Sequence, residues 1–300
     1  MRRHAPLTLV GRRFAHHRLA VASGVLLLVL VVGAALAPAV EALLGVDADA
    51  VSLINRLMPP SIEHPLGTDE LGRDVLVRLL YGGRISLAVG LAAALGSAVI
   101  GTSVGLIAGF YGGRIDAFLM RLTDGVIALP FLPLLIVLAA LDPAKLGIPP
   151  QIAGAEQVNL VRIVVIVSLV GWTTVARLVR GTALALRQQL FVEAARAQGA
   201  GAVRIMAVHI LPNIASPVIV ATTLAAGNMI LLESVLSFLG LGIQPPTPSW
   251  GNLLTNAQEL IWSAPALAFY PGMLIFFTVI AFNFLGDGLR DALDPRTVRG

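Results

Sequence analysis

The chain has 300 residues, 57% hydrophobic and 13% charged, with a mean hydropathy of +0.86, a net charge of +4 and a pI near 10.3. A soluble domain is roughly 45–50% apolar and about 25% charged, so the composition excludes an ordinary water-soluble fold and points to an all-α membrane protein. Cysteine is absent, which excludes disulfides, thiolate catalysis and cysteine metal sites, and the arginines sit beside apolar runs, where they orient a membrane protein rather than hold nucleic acid.

Crossing the hydrocarbon core takes about 20 mostly apolar residues. Residues 1–18 form a basic leader, with His16 and His17 expected to be solvated. Leu19–Val40 is the first predicted span. Ala37-Pro38-Ala39 resembles a signal cleavage site, but the apolar run exceeds the 7–15 residues of a signal peptide. An uncleaved span is therefore expected. Residues 41–81 follow as an external segment. Within it, Thr68 can cap a helix, and Leu71, Val75, Leu76, Leu79 and Leu80 share one face at helical spacing, away from Arg73 and Arg78. The reading is a short amphipathic helix resting on the membrane or the bundle; the plain alternative is a connector.

The core region, 82–287, holds five further predicted spans: Ile85–Tyr111, Ala117–Leu141, Ile163–Leu186, Ile210–Leu232 and Leu260–Gly286. In the first of these, Ala93, Ser97, Gly101, Gly105 and Gly109 recur every four residues. Such a stripe of small side chains lets two backbones approach closely, in a bundle or a dimer, although a chain with 30 glycines can produce one by composition. Asp124 is expected to pair with Arg121 at three residues' spacing, and Glu233 to reach the interface from the outer end of its span. Gln244-Pro245-Pro246-Thr247-Pro248 breaks the chain before Trp250, which reads as an interfacial external loop. Residues 288–300 form a tail. With the N-terminus inside, 15 of the 21 basic residues fall in inside segments, so the positive-inside rule places both termini in the cytoplasm.

The segment Arg187–Asn213 then lies inside the cell. A helix is predicted through Phe191–Gln198 and ended by Gly199, with a second short helix over Ala202–His209 and an exit at Pro212. That is a helix–turn–helix able to present a short helix to a soluble partner. Ala194 and Ala195 leave room for close contact, and Glu193 can accept hydrogen bonds; taken alone, Glu193 would read as a solvated charge. No two histidines stand at metal-ligand spacing on a helix, so no metal is expected. No phosphate-binding loop is present, since the single lysine, Lys145, lies in Asp-Pro-Ala-Lys-Leu-Gly. No cofactor and no catalysis by this chain are expected, and the energy for any ATP-driven work must come from another subunit.

Glu193-Ala194-Ala195, with Gly199, His209 and Leu211-Pro212 behind it, resembles the EAA loop of bacterial ABC importer permeases. The His-Ile-Leu-Pro-Asn ending is similar to the dipeptide, oligopeptide and nickel branch, as are His64 through Asp74, Leu236 through Gly242 continuing to Trp250-Gly251-Asn252, and Asn283 through Arg290-Asp291 closing with Asp294-Pro295-Arg296. The resemblance covers roughly residues 60–296 and marks the C-type subunit. It implies a type I ABC importer permease fold, with one N-terminal span and a five-span core. It also implies a homologous second permease, two cytoplasmic ATPase subunits and an external solute-binding protein as partners. The short helix of the loop would dock in a cleft of the ATPase, and the chain would form half of a path for peptides, with nickel chelates and glutathione open as cargo. A carrier driven by an ion gradient is the rival; it needs ionisable groups at midplane on broken helices, for which Asp124 is the candidate.

Overall fold

Inside hydrocarbon the backbone has to satisfy its own hydrogen bonds, and each apolar run of this chain is accordingly helical. The computed structural model describes residues 7–141, 149 and 156–293. Lys145 and the closing Asp294-Pro295-Arg296 lie outside the described residues. The helices are α1 (Leu7–His16), α2 (Arg18–Ala35), α3 (Ala37–Leu44), α4 (Val75–Tyr111), α5 (Gly113–Ala128), α6 (Phe131–Ala139), α7 (Glu156–Gly171), α8 (Thr173–Leu186), α9 (Leu190–Ala197), α10 (Ala202–Phe238), α11 (Ala257–Leu260) and α12 (Ala266–Leu293). Four of them, α2, α4, α10 and α12, are long and apolar enough to cross a membrane singly. The pairs α5–α6 and α7–α8 bring the count to six if each makes one crossing.

The axis of the bundle is α4. Half of its most apolar stretch is buried, against 22–33% for the other long helices, and it packs on α2, α7, α8 and α10. The small-residue stripe explains how. Ser97 donates to the Ser168 carbonyl at 3.4 Å, and Ser168 donates to the Ala93 carbonyl at 3.1 Å. One turn further on, a Cβ added to Gly101 would stand 2.5 Å from the Trp172 carbonyl oxygen. A Cβ on Gly105 would meet the Ala176 carbonyl, and one on Gly109 would come within 2.7 Å of Ala183 and Arg180. The two helix faces step together by four residues, and the contact is within this one chain.

Several predicted elements differ. The expected interfacial helix near residues 68–80 is instead the start of α4, which runs unbroken for 37 residues. Asp74 rather than Thr68 caps it, accepting from the Val77 amide at 2.8 Å. Thr68 is occupied elsewhere, holding Met58 N at 2.8 Å and donating to the Asn55 carbonyl. Gly82 and Gly83 do not interrupt the helix, because Ser249 and Trp250 pack against their backbone. Arg78 does not face water; it is 2% exposed and donates to Asp49 at 2.9 Å and to the Ala48 carbonyl.

The third predicted span bends by 88° between α5 and α6. Pro130 removes an amide there and pushes Leu129 into an extended conformation. The fourth bends by 46° at Trp172. The fifth begins earlier than expected, since residues 202–209 are not a separate helix but the first turns of α10. Ile205–Ile210 take the wider π spacing, which makes room for the Pro212 ring where a regular helix would clash. The sixth starts at Ala266, after a separate turn at Ala257–Leu260.

The stripe gives a direct test. Gly101→Leu must displace backbone atoms of α8 and should cost about 1–3 kcal/mol, read as a lower melting temperature of the detergent-purified protein. Gly125→Ala, at a helical glycine with open space around its Cβ position, should leave the melting temperature unchanged or raised.

Candidate functional site

The segment 187–213 is built on the end of the bundle where α4 and α8 finish. Arg187 anchors it. Its Nη1 donates to the Phe110 carbonyl at 3.2 Å and to the Gly109 carbonyl at 3.4 Å. These lie in the last turn of α4, where the helix dipole favours a cation. Three residues later the chain starts α9. Its polypeptide stops at Gly199, which takes φ +80° and lets the Ala200 amide reach back to the Ala195 carbonyl at 3.0 Å.

The helix α9 has two faces. Val192 is fully buried and Ala195 is 7% exposed. They pack in a second apolar cluster with Phe110 of α4, Val175, Val179 and Ala183 of α8, and Ile205, Ile210 and Ile214 of α10. The opposite face carries Leu190, 82% exposed, with Glu193 and Ala194, while Arg196 and Phe191, the latter 40% exposed, lie at its edges. Ala195 is therefore not part of an outward contact surface with Ala194: residues three apart lie on one helical face, so Ala195 follows Val192 inward. Leu211 and Pro212 are exposed and His209 is half-buried at the start of α10. The His209 carbonyl accepts from the Asn213 side chain at 2.7 Å. Pro212 does not close the loop as a stop, for the reason given above.

Ion pairs brace this end. Arg180 of α8 makes a two-pronged contact with Asp116 of α5, with Nη2 2.7 Å from Oδ2. Arg177 reaches Asp124 at 2.6 Å. The expected Arg121–Asp124 pair is not formed; the carboxylate turns to the neighbouring helix, which a spacing rule within one helix does not reveal. Arg177, Arg180, Arg187 and Val192 carry the geometry and were not singled out from sequence. A usable signal was present: three arginines at the end of an apolar run, next to a segment rich in small residues.

The opposite end of α4 holds the motifs His64–Asp74 and Leu236–Asn252. Asp69, 6% exposed, accepts from the amides of Leu71 and Arg73 at 2.9 Å and from Arg73 Nε at 2.7 Å. His64 Nδ1 lies 3.0 Å from Asp74. Trp250 points into the protein, being 2% exposed, with Nε1 donating to the Leu79 carbonyl at 2.9 Å. Glu233 likewise does not reach solvent; its exposure is 0%.

Val192 tests the docking of α9 on its own bundle. Val192→Ala should weaken that seat by about 2 kcal/mol. Amides of residues 190–200 should then exchange hydrogen faster by mass spectrometry, with the centre of α4 unaffected.

Comparison with known proteins gives the same assignment from two directions. Residues 101–299 match the model of the binding-protein-dependent transport system inner membrane component, and residues 6–60 match the N-terminal TM domain of oligopeptide transport permease C. The chain is 42% identical to a glutathione transport system permease protein of Pectobacterium atrosepticum, over 95% of this chain and 89% of that one. It is 43% identical to a dipeptide transport system permease protein of Alkalihalophilus pseudofirmus, over 81% and 75%. In fold it is similar to an inward-facing structure of the MetNI methionine ABC transporter, with TM-score 0.54 and 20% identity, covering 72% of this chain and 96% of that one. The chain therefore belongs to the family of binding-protein-dependent transport system inner membrane components, the permease subunits of ABC transporters.

Proposed function

We propose that this permease lies in the bacterial inner membrane with both termini in the cytoplasm, and that the outer face of α9 docks on a cytoplasmic ATPase. The observation that carries the reading is the division of α9 into two faces. A helix whose Val192 and Ala195 are seated in the bundle still leaves Leu190, Phe191 and Ala194 uncovered. Exposed apolar residues around a small one suit a partner cleft. Glu193 and Arg196 add polar contacts at its rim. The partners are a homologous second permease, two ATPase subunits and a solute-binding protein on the outside. This chain and the second permease each form half of the path. The cargo is a dipeptide, an oligopeptide or a related small solute such as glutathione, in keeping with the names of the relatives.

In this reading ATP binding draws the two ATPases together and moves α9. Three features pass the movement on: Arg187 on the end of α4, the shared apolar cluster with α8, and the short turn into α10.

Docking is tested by co-purification. Ala194→Trp and Glu193→Lys leave the inner face of α9 intact and should weaken capture of the ATPase subunits about tenfold or more, with a parallel loss of ATP-driven uptake. Undiminished capture by both variants would remove the reading. Orientation is tested on the cysteine-free chain: Glu193→Cys should react with an impermeant maleimide from the cytoplasmic side and Gln244→Cys from the outside.

A further inference from the structure

Glu233 has no place in the docking loop, yet an acid enclosed in a membrane helix is costly and calls for a purpose. The hydrogen bonds around it supply one. Three backbone amides near α10, those of Ile243, Trp250 and Asn252, donate to the hydroxyls of Ser237, Ser86 and Ser249 at 3.0, 3.1 and 3.2 Å. Of these hydroxyls Ser237 donates to the Glu233 carboxyl at 2.7 Å, and those of Ser86 and Ser249 stand beside it. Ser234 adds a weaker bond at 3.4 Å. A hydroxyl has a single proton to give. The Ser237 relay therefore runs from the Ile243 amide through the serine to the carboxyl, and its direction requires an acceptor at the centre, toward which the Ser86 and Ser249 hydroxyls can turn their own protons.

The serines come from different elements: Ser86 from α4, Ser234 and Ser237 from α10, Ser249 from the loop 243–252 itself. Among the described residues no cation pairs with Glu233. The loop is also held by Trp250 on the Leu79 carbonyl and by Asn252, which bonds the carbonyls of Thr247 and Ile243 at 2.8 and 3.2 Å. Glu233 lies on the helix that starts beside α9, about 46 Å along it from Ala202 at 1.5 Å per residue. The far end of α10 is thus fastened at one carboxyl to α4 and to the loop.

We propose that Glu233 is a positioning residue for transport: it fixes the loop 243–252 to the ends of α4 and α10, so that displacement entering α10 at the docking loop reaches that loop without slack. The inference rests on the docking reading above. Glu233→Gln keeps the size and one oxygen but turns amide hydrogens toward hydroxyls whose protons already point inward. Glu233→Asp keeps an acceptor.

The test uses the complete complex in proteoliposomes, with a nitroxide on Gln244→Cys and the binding protein purified with its own cargo. For Glu233→Gln the label should become more mobile, and hydrolysis stimulated by the binding protein should fall about tenfold or more, with basal hydrolysis kept within about twofold. Glu233→Asp should restore part of the stimulation. Ser86→Ala, which removes the α4 hydroxyl beside Glu233 that accepts from the Trp250 amide, should give a smaller loss in the same direction, and it decides the question if Glu233→Gln does not assemble. An unmoved label, a loosened loop with full stimulation, or equal loss of basal and stimulated hydrolysis would overturn the proposal. A failure of the unaltered permease to assemble with ATPase subunits would instead sink the docking reading, and the label would still report whether Glu233 holds the loop.

Discussion

How near two backbones can come along one face of α4 sets the rest of this structure. Lipid tails are as apolar as leucine, so burial alone does not drive helices together in a bilayer. Contact has to come from close packing, and the row from Ala93 to Gly109 provides it by offering α7 and α8 almost no side chain. Ser97 and Ser168 lock the near part of the seam with reciprocal hydrogen bonds to backbone carbonyls. The broken pair α7–α8 follows the row across its own bend, and its arginines then fall where they can brace α5 and the last turn of α4.

From that axis the two ends of the molecule differ in kind. At one end the fastening is apolar, with Val192, Phe110, Val179 and Ile210 in one cluster beneath a short helix. At the other it is polar, with Asp69, Asp74, Arg78 and Glu233 each enclosed and bonded. Apolar contacts are non-directional and tolerate small slides. Charge-assisted hydrogen bonds fix geometry more strictly. In the docking reading proposed above, a permease pushed at one end and presenting a defined shape at the other draws on that contrast.

Much of the fold was legible in the amino-acid order. Runs such as 85–111 and 260–286 admit little else in lipid, although the second becomes a continuous helix only at Ala266, and the stripe at 93–109 revealed the packing face by its period. The loop at 187–213 was legible as a helix and a glycine stop, while the second short helix expected after it is the first turns of α10. What escaped were relations across elements. Asp124 has a plausible partner three residues away and a real one on α8, because the choice depends on where two helices cross. Glu233 looked interfacial by its position near the end of an apolar run, while its serines lie as far away as Ser86 and Ser249. Pro212 read as a boundary because a local rule says so; the π turns before it absorb the ring and let the helix continue. The inward turn of Ala195 follows from helical geometry, but only once Val192 is known to be anchored.

The two-sidedness of α9 has an evolutionary consequence. Val192 and Ala195 answer to the permease's own interior, whereas Leu190, Phe191 and Ala194 answer to whatever lies outside it. Substitutions on one side leave the demands of the other untouched. In the docking reading proposed above, a lineage can therefore retune or exchange its motor subunit by drifting at a handful of outward positions, without renegotiating how the channel-forming body folds.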